Sequence, residues 1–197
     1  MLITKIFNVE SSHRVINCSS ERCKYSLHGH SAKIELTLSA PKPDNGGMVY
    51  DFGLMKGTIK EFIDSMDHCN LFYSLDDRNY TEFIKRFNDR WIELPVSPSA
   101  EFLAAFIFKS VQFILDHTIT NNGESPVKVY SVKYHETASG SATCFESDLE
   151  EWAKYDLDDV VVSPGVQQDW SEGLKSIMFR DGMFANPVVE QQEKCNW

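Results

Sequence analysis

Three of the six histidines in this chain, His13, His28 and His30, stand where their imidazoles can gather around one point. His28 and His30 flank Gly29, and residues two apart on a strand project to the same side. Glycine between them leaves room for a second backbone or a ligand. A third imidazole from a neighbouring strand would complete three corners of a tetrahedron. Three neutral imidazoles with the fourth position open make the catalytic rather than the structural form of a zinc site. A lone histidine reads as a surface or core-edge residue; three that share an apolar face point to metal.

Other residues could do chemistry near such a centre. Cys23 lies in the segment ERCKYSL between Arg22 and Lys24, and flanking cations favour a thiolate that can act as base or nucleophile. Cys18 competes with it from nearby. Asp67 and His68 are adjacent and could form an acid/base pair, although such pairs are also common as solvated residues at helix ends. Glu136 closes an otherwise apolar and aromatic row, where a carboxylate needs partners that a ligand with ring N–H groups could supply.

These residues have to be placed by regular elements. Residues 2 to 9 (LITKIFNV) alternate as a strand with Ile3, Phe7 and Val9 on one face, and His13 shares their parity. From Gly29 to Ala40 the alternation puts His30, Ala32, Ile34, Leu36 and Leu38 on one face. PKPDNGG at 41 to 47 is dense in turn formers, and GMVY after it suits a returning strand, so a hairpin is expected here. Asp51 can cap a helix carrying Phe52, Met55, Ile59, Phe62, Ile63 and Met66 that ends near Asp67 and His68. The stretch from Tyr73 to Asp89 reads as polar connection and RWIELPV as an extended segment. Ser97 or Ser99 beside Pro98 starts a second helix to about His117, apolar on more than one face and so packed against two neighbours. VKVYSVKYHET is the last strand, with Tyr130, Val132, Tyr134 and Glu136 in one row. This order favours an α+β fold: an antiparallel sheet with helices on one face.

The 197 residues fit one domain with an appendage, and residues 151–197 look unlike the rest, so the expected division is a domain over 1–150 and a C-terminal extension over 151–197. With 42% apolar and 24% charged residues the composition is globular, and no apolar run is long enough to span a membrane. The start of the chain lacks the features of a secretory signal and is read as mature from Met1. Five cysteines without Cys-x-x-Cys spacing argue for reduced thiols in the cytoplasm. A formal charge of -10 argues against a nucleic-acid surface, and an anionic small substrate would need a local basic pocket.

Six stretches in order, SSHR at 11 to 14, CKYSLHGH at 23 to 30, GGMVYDF at 46 to 52, MDHCNL at 66 to 71, PSAEFLA at 98 to 104 and YHET at 134 to 137, resemble the 6-pyruvoyl-tetrahydropterin synthase and 6-carboxytetrahydropterin synthase family. The resemblance implies a T-fold whose subunits assemble into barrel-forming trimers and hexamers. It implies zinc on His13, His28 and His30, Cys23 as catalytic thiol, and Asp67 and His68 completing a relay from a neighbouring subunit. Glu136 would anchor a pterin ring, Ser99 and Glu101 would line the pocket, and Arg14, with Arg22 and Lys24, is the nearest base for a triphosphate. The implied substrate is 7,8-dihydroneopterin triphosphate. The favoured product is 6-carboxy-5,6,7,8-tetrahydropterin, a precursor of 7-deazaguanine compounds such as queuosine. The rivals are formation of 6-pyruvoyl-tetrahydropterin and a zinc- and pterin-binding module without turnover. Two departures stand out: the four residues between Cys23 and His28 match neither branch of the family, and PS replaces the usual PT before the second helix.

Overall fold

In the computed structural model, which describes residues 1–190, one mixed sheet of seven strands carries the chain, in the order β7-β6-β2-β1-β3-β4-β8. The strands are β1 (Leu2–His13), β2 (His28–Ser39), β3 (Cys69–Tyr73), β4 (Trp91–Leu94), β6 (Lys128–His135), β7 (Ser141–Phe145) and β8 (Val161–Val162). A separate parallel pair joins β5 (Thr118–Ile119) to β9 (Phe184–Ala185). The helices are α1 (Glu21–Tyr25), α2 (Thr58–Asp64), α3 (Arg78–Phe87), α4 (Ala100–Asp116), α5 (Pro164–Gln167) and α6 (Glu172–Met178). None of the described helices is long and apolar enough to cross a membrane.

β1 and β2 pair antiparallel over their whole length, from Leu2 opposite Ser39 to His13 opposite His28. Alternation then divides their residues between two faces. Phe7, Val9, Ala32, Ile34, Leu36 and Leu38 are buried and join α2 and α4 in one core, while Thr4, Asn8, Glu10, Ser31 and Lys33 are exposed on the other face. α4 is buried along most of its length because it packs on β6 and β7 on one side and on α2 and α6 on another. Ser99 caps it, accepting a hydrogen bond from the Phe102 N–H at 3.3 Å.

Several expectations are corrected. GMVY is not a strand: both edges of β2 are already taken by β1 and β6, so Val49 and Tyr50 are buried without ladder pairing. The helix expected after Asp51 is broken into a 3-10 turn (Leu54–Lys56) and α2, with Gly57 between them, and Phe52 lies exposed. Tyr130 leaves its row because the β2–β6 register shifts there, and Val129 takes the buried position. α3 falls where only polar connection was expected, β3 occupies a stretch to which no element was assigned, and VKVYSVKYHET is followed by further strands. The sheet is antiparallel except that β3 runs parallel to both β1 and β4.

The last part of the chain is built into the same core. β8 pairs with β4, and Val166, Trp170, Leu174 and Ile177 are buried against it. The 3-10 helix Glu146–Trp152 runs across position 150. Cys195 lies outside the described residues.

Candidate active site

The register of β1 against β2 makes the histidine cluster. His13 and His28 are direct cross-strand partners, and His30 follows two residues along β2 on the same face. Their ring centroids stand 4.7 Å (His13–His28), 5.1 Å (His13–His30) and 5.0 Å (His28–His30) apart. Ligand atoms from all three lie within 4.8 Å of one another, a set able to hold a metal ion.

Backbone carbonyls fix two of the rings. His13 Nδ1 lies 2.7 Å from the Pro98 carbonyl and His28 Nδ1 2.9 Å from the Ser26 carbonyl. A carbonyl only accepts, so each Nδ1 carries the proton and each Nε2 keeps its lone pair for the site. His13 Nε2 and His30 Nε2 are buried without a hydrogen-bond partner, which is the condition metal coordination would relieve. Burial lowers the pKa of His13 to about 4; the Pro98 carbonyl opposes this and the neighbouring imidazoles reinforce it. The ring is therefore neutral at pH 7, as a metal ligand must be. Nothing in the sequence marks these two carbonyls.

Glu136 stands at the rim of the cluster, its Oε1 3.5 Å from His13 Nε2 and 3.9 Å from His30 Nε2. Cys23, half-buried on α1, is brought beside the end of β1 by a 3.0 Å hydrogen bond from the Val15 N–H to its carbonyl. Ser99 follows Pro98, so the start of α4 abuts His13. Glu101 is exposed in the first turn of α4, in a groove with Thr143, Ser147 and Glu151. The Arg14 guanidinium is engaged at two points by the buried Asp76 carboxylate and stacks on Tyr80 at 3.8 Å.

Asp67 and His68 form a hydrogen-bonded pair, with His68 Nδ1 2.8 Å from Asp67 Oδ2. The pair is fastened to β1: the Glu10 N–H donates to Asp67 Oδ1 at 2.7 Å, and the His68 N–H donates to the Glu10 carbonyl at 2.6 Å. Burial pushes the Asp67 carboxyl up, but the Glu10 N–H, His68 and Arg90 outweigh it and hold the carboxyl below its usual range. His68 is the most exposed member of this constellation, with 76% of its side chain accessible. It lines a depression with Glu10, Ser11, Ser12, Gly29, His30, Ser31 and Cys69, so the pair borders one member of the triad.

A sheet with helices on one face and an imidazole cluster at its end defines a T-fold protein. The solved structures agree: one of an uncharacterized protein from Wolinella succinogenes superposes with a TM-score of 0.60 at 21% identity, covering 74% of this chain and 98% of that one. The 6-pyruvoyl tetrahydropterin synthase of Caenorhabditis elegans gives 0.50 at 22% identity, covering 74% and 94%. The chain belongs to the 6-pyruvoyl tetrahydropterin synthase family, whose model matches residues 2–147. A curated relative from Helicobacter pylori, named 6-carboxy-5,6,7,8-tetrahydropterin synthase, is 32% identical over 196 residues, 99% of this chain and 94% of its own. One of the same name from Rickettsia typhi is 34% identical over 102 residues, 51% of this chain and 72% of its own. The Helicobacter match therefore includes the C-terminal part that the family model leaves out.

Proposed function

We propose that this chain is a zinc-dependent lyase that converts 7,8-dihydroneopterin triphosphate and water to 6-carboxy-5,6,7,8-tetrahydropterin, releasing acetaldehyde and triphosphate. The observation that carries this reading is the cluster of three imidazoles with ligand atoms within 4.8 Å of one another, His13 Nε2 and His30 Nε2 buried without hydrogen-bond partners, in a chain matched over nearly its whole length by a relative of that name. His13, His28 and His30 would hold zinc. Bound there, zinc would act as a Lewis acid that lowers the pKa of the substrate's side-chain hydroxyls.

The chain's own groups supply the rest. Cys23, between the cations Arg22 and Lys24, removes a proton from the substrate side chain. Asp67 holds the His68 imidazole through Nδ1, which leaves Nε2 to carry protons. With its side chain exposed at the surface, His68 completes the relay with a neighbouring subunit, in a trimer or hexamer. Glu136, at the rim of the cluster, accepts pterin ring N–H groups, and Ser99, at the start of α4, lines the pocket with Glu101. With Arg14 committed to Asp76, the triphosphate falls to Arg22 and Lys24.

Products of incubation with dihydroneopterin triphosphate test the reading. Acetaldehyde and triphosphate should appear in step. Triphosphate without acetaldehyde would instead identify formation of the pyruvoyl compound, and release of neither would leave a binding module.

A further inference from the structure

The segment Ser163–Ser171 reaches back to the turn that carries Asp67 and His68, and Arg90 joins the two. α2 ends at Asp64, and the last carbonyls of a helix need donors from elsewhere. The turn supplies some of them, with the Met66 N–H on the Ile63 carbonyl and the Asp67 N–H on the Asp64 carbonyl, and Arg90 adds more: its Nε donates to the Asp67 carbonyl at 3.1 Å, and one terminal nitrogen donates to the Asp64 and Ser65 carbonyls at 3.3 and 3.5 Å. The other terminal nitrogen donates to the Gly165 carbonyl at 3.3 Å and to the Asp169 carboxylate. Arginine suits this place because its fixed fork spans several acceptors at once.

The next two residues bind the end of α2 and α2 itself. Trp170, buried in the core, donates its indole N–H to Ser65 Oγ at 2.6 Å. Ser171 donates to the Glu61 carboxylate through its hydroxyl at 2.6 Å and its N–H at 3.2 Å. Gly165 packs so tightly that a Cβ would sit 2.3 Å from the Asp89 carbonyl oxygen, the residue before Arg90. The turn needs holding: His68 has a φ of +52°, a left-handed conformation that is unfavourable for a non-glycine residue. Its exposed side chain adds little packing of its own.

We propose that Ser163–Ser171 is a brace for the Asp67–His68 pair and that Arg90 is the positioning residue through which it acts. The C-terminal part of the chain then belongs to the catalytic apparatus without touching substrate. The inference rests on the catalytic role given above to the pair, and its test separates the two.

Arg90→Lys keeps the charge and loses the fork. In the full-length zinc-loaded enzyme its kcat should fall by roughly tenfold to a hundredfold, the scale of a small misplacement of a reacting group, with KM, zinc content and assembly unchanged. Trp170→Phe should move kcat the same way by less, and it carries the test should Arg90→Lys fail to fold. Added to His68→Ala, Arg90→Lys should cost nothing further. With isotope-labelled histidine, the His68 ring signal, assigned by its loss in His68→Ala, should shift or split in both brace variants. An inactive His68→Ala with unaltered kcat and unaltered His68 signal in the brace variants overturns the brace. A fully active His68→Ala overturns the catalytic reading instead, and the His68 signal still decides the brace.

Discussion

The histidine cluster and the Asp67–His68 turn are built by opposite means. The cluster is made by the register of two adjacent strands, and two of its three rings are set by backbone carbonyls. The turn stands at a helix end in a left-handed backbone conformation, and its bonds come from Glu10, from Arg90 and, through Arg90, from residues about a hundred positions further on. One half of the proposed site is intrinsic to the sheet; the other is imposed from a distance. A protein arranged this way can lose turnover through distant substitutions while its histidine cluster stays whole.

The largest effect expected from this contrast is on chemistry alone. Cys23→Ala should retain metal and assembly yet lose turnover by about two to four orders of magnitude, the scale of a missing general base. Cys18→Ala, whose thiol only meets the Ser20 carbonyl at 3.2 Å, should be nearly silent. A reversal of the two in steady-state assays would move the thiol and break the assignment of this half of the site.

On the braced side, Trp170→Ala should lower stability in denaturant titration by about 3–5 kcal/mol, since a buried aromatic ring and its bond to Ser65 are both lost. Zinc stoichiometry at low temperature should not change. A loss of metal in the folded variant would join the two halves that the contrast separates.

Somewhat smaller, and confined to the cluster, is a pH effect. Burial lowers the pKa of His13 from 6.5 to about 4, so between these values the unfolded chain binds more protons than the folded one. That contribution to stability is complete above pH 6.5 and is lost as pH falls toward 4. It amounts to about 3 kcal/mol for the metal-free protein. Urea titrations of the metal-free protein and of His13→Gln should differ in slope across this window; parallel curves would deny the buried neutral ring.

The same contrast governs how much could be read from the sequence. His13, His28 and His30 were legible because strand alternation has a period of two, and His-Gly-His displays it directly. A serine cap beside Pro98 was legible for a similarly local reason, though only the structure decides for Ser99 over Ser97. The Pro98 carbonyl was not, because a backbone group leaves no trace in residue type. β3 was hidden because Cys69, Asn70, Leu71 and Phe72 are all buried and show no alternation. α3 did carry a signal: Asp77 caps it, accepting from the Asn79 and Tyr80 N–H groups, but only Ile84 is buried, so the segment looked like polar connection. GMVY has the composition of a strand and no free edge to join. Arg90 was invisible because its meaning depends on Asp64 to Asp67 and Asp169 arriving at one place.

Metal content tests the central claim most directly. Purified without chelator, the protein should carry about one zinc per chain, and His28→Ala, folded by circular dichroism, should carry almost none. Stoichiometric zinc in His28→Ala, or full turnover by a wild-type protein free of metal, would contradict the account.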